Sequence, residues 1–113
     1  MLDNLGSLHD AAGDSRRAEA FYRQALLIHR QLRDLGGQAQ TLHNLGSLYQ
    51  HQSQDHLPQS LEHYREALRL WEQVGDTASS ARTKHGIDSV LQSLGRPTYS
   101  QSVRSGEGKR HLR

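Results

Sequence analysis

Apolar side chains recur along this chain at helical spacing, in blocks separated by short polar breaks. Leu42, Leu45, Leu48 and Tyr49 follow i, i+3, i+6, i+7, one face of a helix. Ala18, Phe21, Tyr22, Ala25, Ile28 and Leu32 form a similar stripe, and Leu61, Tyr64, Ala67, Leu68 and Val74 another. Gly13-Asp14-Ser15 and Asp55 through Pro58 read as turns and helix starts, and Gly36-Gly37 and Gly75-Asp76 as breaks between larger units. The pattern predicts helices near 2–12, 15–34, 38–51, 57–74 and 78–94.

The pattern also repeats. LDNLGSLHD at Leu2 returns as LHNLGSLYQ at Leu42, an offset of 40, and AFYRQAL at Ala20 returns as EHYREAL at Glu62, an offset of 42. The two extra residues fall in polar, turn-forming sequence, where insertions are tolerated. At offset 42, Thr41, His43, Leu45, Ser47, Leu48 and Gln50 meet Thr83, His85, Ile87, Ser89, Val90 and Gln92. The chain thus holds two helix-pair units, at about 2–37 and 38–77, and the first half of a third at 78–94. Gly6 and Gly46 sit inside predicted helices, where glycine costs roughly 1 kcal/mol relative to alanine. A cost incurred twice at one place implies close packing there, and Ala18, Ala25 and Ala67 on the second helices suit the same approach.

On these residues the chain resembles the tetratricopeptide repeat. The signature is a large residue, Leu-Gly, an aromatic, then Ala-x-x-x-aromatic-x-x-Ala on the second helix. Unit one supplies Leu2, Leu5-Gly6, His9, Ala18, Tyr22 and Ala25; unit two supplies Leu42, Leu45-Gly46, Tyr49, Ser60, Tyr64 and Ala67. Units of about 40 residues, with Asn44-Leu45-Gly46 and the inter-unit Gly75-Asp76, are similar to the long-repeat subclass. Two features depart from the pattern: Arg30 and Glu72 stand where proline often ends the unit, and Lys84 and Asp88 replace the large residue and the glycine in unit three. That weaker copy suits a terminal capping helix.

The resemblance implies an all-α fold, an antiparallel helix-pair solenoid wound as a right-handed superhelix. Its concave face, lined by the first helix of each pair, would hold an extended or helical peptide. It implies that Asn4 and Asn44 face this groove, where an amide both donates to and accepts from a ligand backbone. Gln40, His43, Ser47 and Arg82 join them as partner-binding candidates, and helical phase adds Asp3, Ser7, Gln50 and Ser89. Leu5, Gly6, Ala18, Tyr22, Ala25, Leu45, Gly46, Tyr49, Tyr64 and Ala67 are expected to be structural. Some family members clamp a carboxylate tail with basic residues on consecutive first helices, but the first two such helices here carry no Lys or Arg.

Composition narrows the function further. The 113 residues are 34% hydrophobic, room for one domain with a thin core, and no apolar run is long enough to span a membrane. There is no cysteine and no signal-peptide pattern, so a cytoplasmic protein is expected. Charge is unevenly placed: residues 96–113 carry five Lys/Arg against Glu107 alone, while residues 1–95 carry nine basic and eleven acidic side chains. The near-neutral body disfavours nucleic acid as the main partner. The tail, rich in Ser and Gly, is expected to be disordered. An adaptor whose basic tail contacts nucleic acid or acidic surfaces is therefore the alternative reading.

No phosphate loop, GxSxG or cysteine nucleophile is present, so no catalytic residue is assigned. Eight histidines are the one chemical excess. His43 and His85 recur in register, which reads as repeat ancestry, and His51 and His56 flank Asp55 without a further zinc-ligand pattern. No metal or cofactor is expected. Trp71 aligns with His29 and is expected to pack against the following helix. A chain opening directly on a signature helix reads as part of a longer array. Standing alone, it would expose a face around Leu5, Leu8, Phe21 and Ile28 and favour self-association.

Overall fold

The computed structural model of the chain describes residues 2–95; Met1 and the basic segment 96–113, with its expected disorder, lie outside the described residues. Five helices follow in order: α1 (Leu2–Ala11), α2 (Ser15–Gln31), α3 (Leu35–Gln52), α4 (Leu57–Val74) and α5 (Thr77–Ser93). A one-turn 3-10 helix at Gln54–His56 leads into α4, whose first turn holds Pro58. Among the described residues all regular structure is helical, as the apolar spacing predicts.

Three of the four connections are the same turn. Gly13, Arg33 and Gly75 each take a left-handed backbone, with φ of 83°, 56° and 79°, and each is followed by an aspartate. The aspartate amides close back onto the carbonyls of His9, His29 and Trp71 at 2.8, 2.9 and 3.0 Å, which satisfies carbonyls the helix end leaves open. Each aspartate then caps the next helix: Asp14 accepts from the amide of Arg17, Asp34 from Gly37 and Asp76 from Ser79. The break between units one and two is therefore Arg33-Asp34. Gly36-Gly37 lies within the first turn of α3, and the helix begins at Leu35, three residues before its expected start.

Each helix packs on its chain neighbours, while α1 also meets α3 and α3 meets α5. The first helices thus form one row and the second helices another. The least dimension, 18 Å, is about two helix diameters. One core cluster joins α2, α3 and α4 through Tyr22, Leu26, Leu42, Leu45, Leu48, Tyr49, Leu70 and Trp71; a second joins α4 to α5 through Leu57, Leu61, Tyr64, Ile87, Val90 and Leu91. Burying each large side chain contributes about 1.5–3 kcal/mol. Trp71 belongs to the cluster that joins α2, α3 and α4, and its indole N–H has no hydrogen-bond partner among the described residues.

The repeated glycines have a specific cause. A Cβ at Gly6 would stand 2.6 Å from the Tyr22 ring, and one at Gly46 2.7 Å from the Tyr64 ring. The close approach is thus made by an aromatic ring of the partner helix. Tyr64 also presses on Gly86 of α5, where a Cβ would lie 2.8 Å away. Ser60, standing where the signature has alanine, is fully buried and donates its hydroxyl to the Gly46 carbonyl at 2.6 Å. The expected structural residues are buried, with Leu5 only half-buried. Tyr49 ties α3 to α2: its hydroxyl donates to Glu19 at 2.7 Å, and Arg23 donates to both. Burial alone would raise the Glu19 carboxyl, but these hydrogen bonds outweigh it and hold the group below its ordinary value.

Unit one leaves its outer side open. Leu8 is 67% exposed and Ile28 42%, whereas their counterparts Leu48 and Leu70 are at 0% and 9%. Leu5 and Phe21 are half-buried, Phe21 by stacking on His9 at 5.3 Å.

Candidate functional site

The row formed by α1, α3 and α5 places Gln40, Asn44 and Arg82, with Asp3, on one continuous polar track. Arg82 on α5 donates from Nη2 to Gln40 Oε1 on α3 at 3.2 Å. Gln40 donates from Nε2 to Asn44 Oδ1, one turn on, at 3.0 Å. Asn44 donates from Nδ2 to Asp3 Oδ1 on α1 at 3.4 Å, the longest link. The helical i, i+4 relation sets Gln40 over Asn44, and the 42-residue repeat sets Arg82 at the place of Gln40 on the next first helix.

Asp3 is held from several sides. The Thr41 hydroxyl donates to its carboxylate at 2.8 and 3.1 Å, and His29 Nε2 lies 3.3 Å from Oδ2. His29 Nδ1 sits 3.3 Å from Asp34 but out of line for a hydrogen bond. A Cβ on Gly37 would collide with the His29 ring and the Asp34 carboxylate, which explains a second glycine in that turn.

His43 takes the place of Asp3 one unit on and makes the matching contact. Its Nδ1 is 2.9 Å from the hydroxyl of Thr83, the counterpart of Thr41, and its ring meets Tyr64 edge-on at 5.2 Å. Burial, with the nearby Arg82 charge, lowers His43 to about 4, so near neutral pH it is an uncharged imidazole. A second thread runs beside it: Tyr64 donates to Gln50 at 3.0 Å, and Gln50 donates to Ser89 at 2.7 Å.

The structure therefore gathers Gln40, Asn44 and Arg82 with Asp3. It turns His43 to the α3–α5 contact, where it serves packing between first helices. Ser47 is half-buried beside Tyr64; burial raises that phenol, and the Ser47 hydrogen bond offsets part of the rise. Asn4 is exposed on α1 and stands outside the track. Gly86 stands where units one and two have Asn4 and Asn44, because the Tyr64 ring occupies the space of a side chain. The parts that sequence reasoning missed are Thr41, Thr83, His29 and Asp34. Fully buried Thr41 and Thr83 carried the one available signal, their recurrence at offset 42.

Among the described residues no three His, Cys, Asp or Glu side chains converge to hold a metal, and no helix is long and apolar enough to cross a membrane. His56 is engaged by the Ser53 hydroxyl at 2.8 Å and stacks on Tyr49. Of two small clefts of about 280 and 240 Å³, one lies between α4 and α5 around Ala81, and the other, between α1 and α2, is lined by Asp3 and His29 at the end of the track.

Two family models, each a tetratricopeptide repeat, match this chain: one over residues 1–36, the other over residues 38–74. No curated protein matches it. The matches cover the two helix pairs whose glycine–tyrosine contacts, buried alanines and shared turn have just been described. With both pairs matched, the chain belongs to the tetratricopeptide repeat family.

Proposed function

We propose that residues 1–95 form a non-catalytic adaptor module that holds a peptide or protein segment against the concave row of α1, α3 and α5. Tetratricopeptide repeats generally mediate protein–protein interactions and are typically scaffolds without chemistry of their own. One observation supports this reading above the rest. Three candidate residues, Gln40, Asn44 and Arg82, come from two different first helices and lie on one hydrogen-bonded track that ends on a third. A side chain that needed only to be solvated would not be fixed in this way. Fixed amides in turn lower the entropy cost of binding a backbone. Asn4, exposed on α1, extends the same surface, with His43 and Ser47 forming its packed floor.

The test is retention of cytosolic proteins by the intact chain and by an Asn44→Ala/Arg82→Ala variant, matched for helicity by circular dichroism. The proposal predicts a partner held by the intact chain alone. A partner retained equally by both, and lost on deletion of residues 96–113, would instead support the basic-tail reading.

A further inference from the structure

The polar track has a direction. A guanidinium can only donate and a carboxylate can only accept, so the charged ends leave the two amides between them a single orientation. Every donor in the series points from α5 toward α1: Arg82 to Gln40, Gln40 to Asn44, Asn44 to Asp3. Aligned dipoles of this kind reinforce one another. The two ends also carry opposite charge. Arg82 is exposed and spends one of its five N–H donors on Gln40. Asp76, whose carboxyl feels the Arg82 charge, is engaged by the amide and hydroxyl of Ser79. At the other end the Asp3 carboxylate on α1 accepts from Thr41 and Asn44 and lies 3.3 Å from His29 Nε2, beside exposed Asn4. Between the ends His43 is uncharged near neutral pH, and α3 carries no Lys, Arg, Asp or Glu.

We infer that this face selects its ligand by charge order: it takes a peptide segment in one orientation, with an acidic side chain beside Arg82 at the α5 end and a basic side chain toward Asp3 at the α1 end. The inference rests on the groove reading above and adds the polarity of the ligand. Gln40 and Asn44 hold the backbone between the two charges, each with one amide hydrogen and one lone pair still to offer. Complementary charge of this sort sets register and rejects the reversed ligand more than it adds affinity.

The experiment is selection of 12-residue peptides from a random library against the intact chain, followed by a charge-swap cycle on the best binder. The selected sequences should share an acidic and a basic residue in fixed order. Arg82→Glu, an exposed change checked for unaltered helicity, should weaken the selected peptide about 10-fold. Replacing that peptide's acidic residue with lysine should restore binding to the variant and weaken it to the parent. Peptides that need Asn44 yet show no ordered charge pair, or bind the Arg82→Glu chain as well as the parent, would overturn the polarity alone. Peptides indifferent to Asn44→Ala, or no binder at all, would overturn the groove reading and the polarity with it.

Discussion

The Tyr64 ring decides what two other positions can be. It lies against Gly46 on α3 and Gly86 on α5, so both must lack a side chain. Gly46→Ala should therefore destabilise the fold by about 1–2 kcal/mol: overpacking against a ring outweighs the gain in helix propensity. Gly36→Ala should do the opposite, stabilising by about 0.5 kcal/mol, because the nearest atom to its Cβ is an Asp34 oxygen 3.8 Å away. Urea unfolding of the two variants checks both signs. His43 supplies a pH dependence. The unfolded chain binds a proton there near pH 6.5, the folded chain only near 4, so stability is full above 6.5 and falls as pH drops toward 4. With partial solvent screening allowed for, the loss is roughly 1–2 kcal/mol. His63, also lowered by burial, adds to it with the same sign. Unfolding at pH 7 and pH 4.5 should show a smaller loss in His43→Gln than in the parent; equal losses would contradict the assignment. At this scale the sequence revealed where packing is tight, because glycine inside a helix is costly and conspicuous. It did not reveal that His43 faces a buried threonine, since two polar residues 40 positions apart announce no contact.

At the scale of elements, helix number and order were legible because the apolar stripe recurs every three or four residues across each segment. The turn between α2 and α3 was not. Gly36-Gly37 has the composition of a break, yet both glycines are helical, and the left-handed turn residue is Arg33 at φ 56°. Turns are fixed by backbone geometry, and here the aspartate that follows, shared by Gly13-Asp14, Arg33-Asp34 and Gly75-Asp76, is the better marker. A left-handed conformation costs a non-glycine residue about 1 kcal/mol. Arg33→Gly should relieve part of it and stabilise the chain by about 0.5 kcal/mol after the added freedom of the unfolded state is counted. A rise in the urea midpoint checks this, and a fall would mean that Arg33 makes a compensating contact.

At the scale of the whole molecule, each unit buries its apolar face on a neighbour. Unit two has one on both sides; in unit one Leu8 and Ile28 stay exposed where Leu48 and Leu70 are buried. On the other side, α5 carries Lys84 and Asp88 at the places of Leu42 and Gly46. Self-association should therefore run through unit one. Sedimentation velocity should show mass rising with concentration, and a Leu8→Gln/Ile28→Gln variant of equal helicity should remain monomeric. A parent chain that is monomeric throughout would contradict this. The polar track was half legible. Repeat register pointed to Asn44, Gln40 and Arg82, while the role of Asp3 as their common end depends on how far α1 leans toward α3, which no spacing encodes.

The most direct test of the central claim is amide chemical-shift mapping on the 15N-labelled chain as a selected peptide is added. Binding along the first-helix row predicts shifts in the side-chain amides of Gln40 and Asn44 and in the backbone of α1, α3 and α5. Shifts confined to α2 and α4, with the Gln40 and Asn44 amides unmoved, would show that the peptide binds elsewhere.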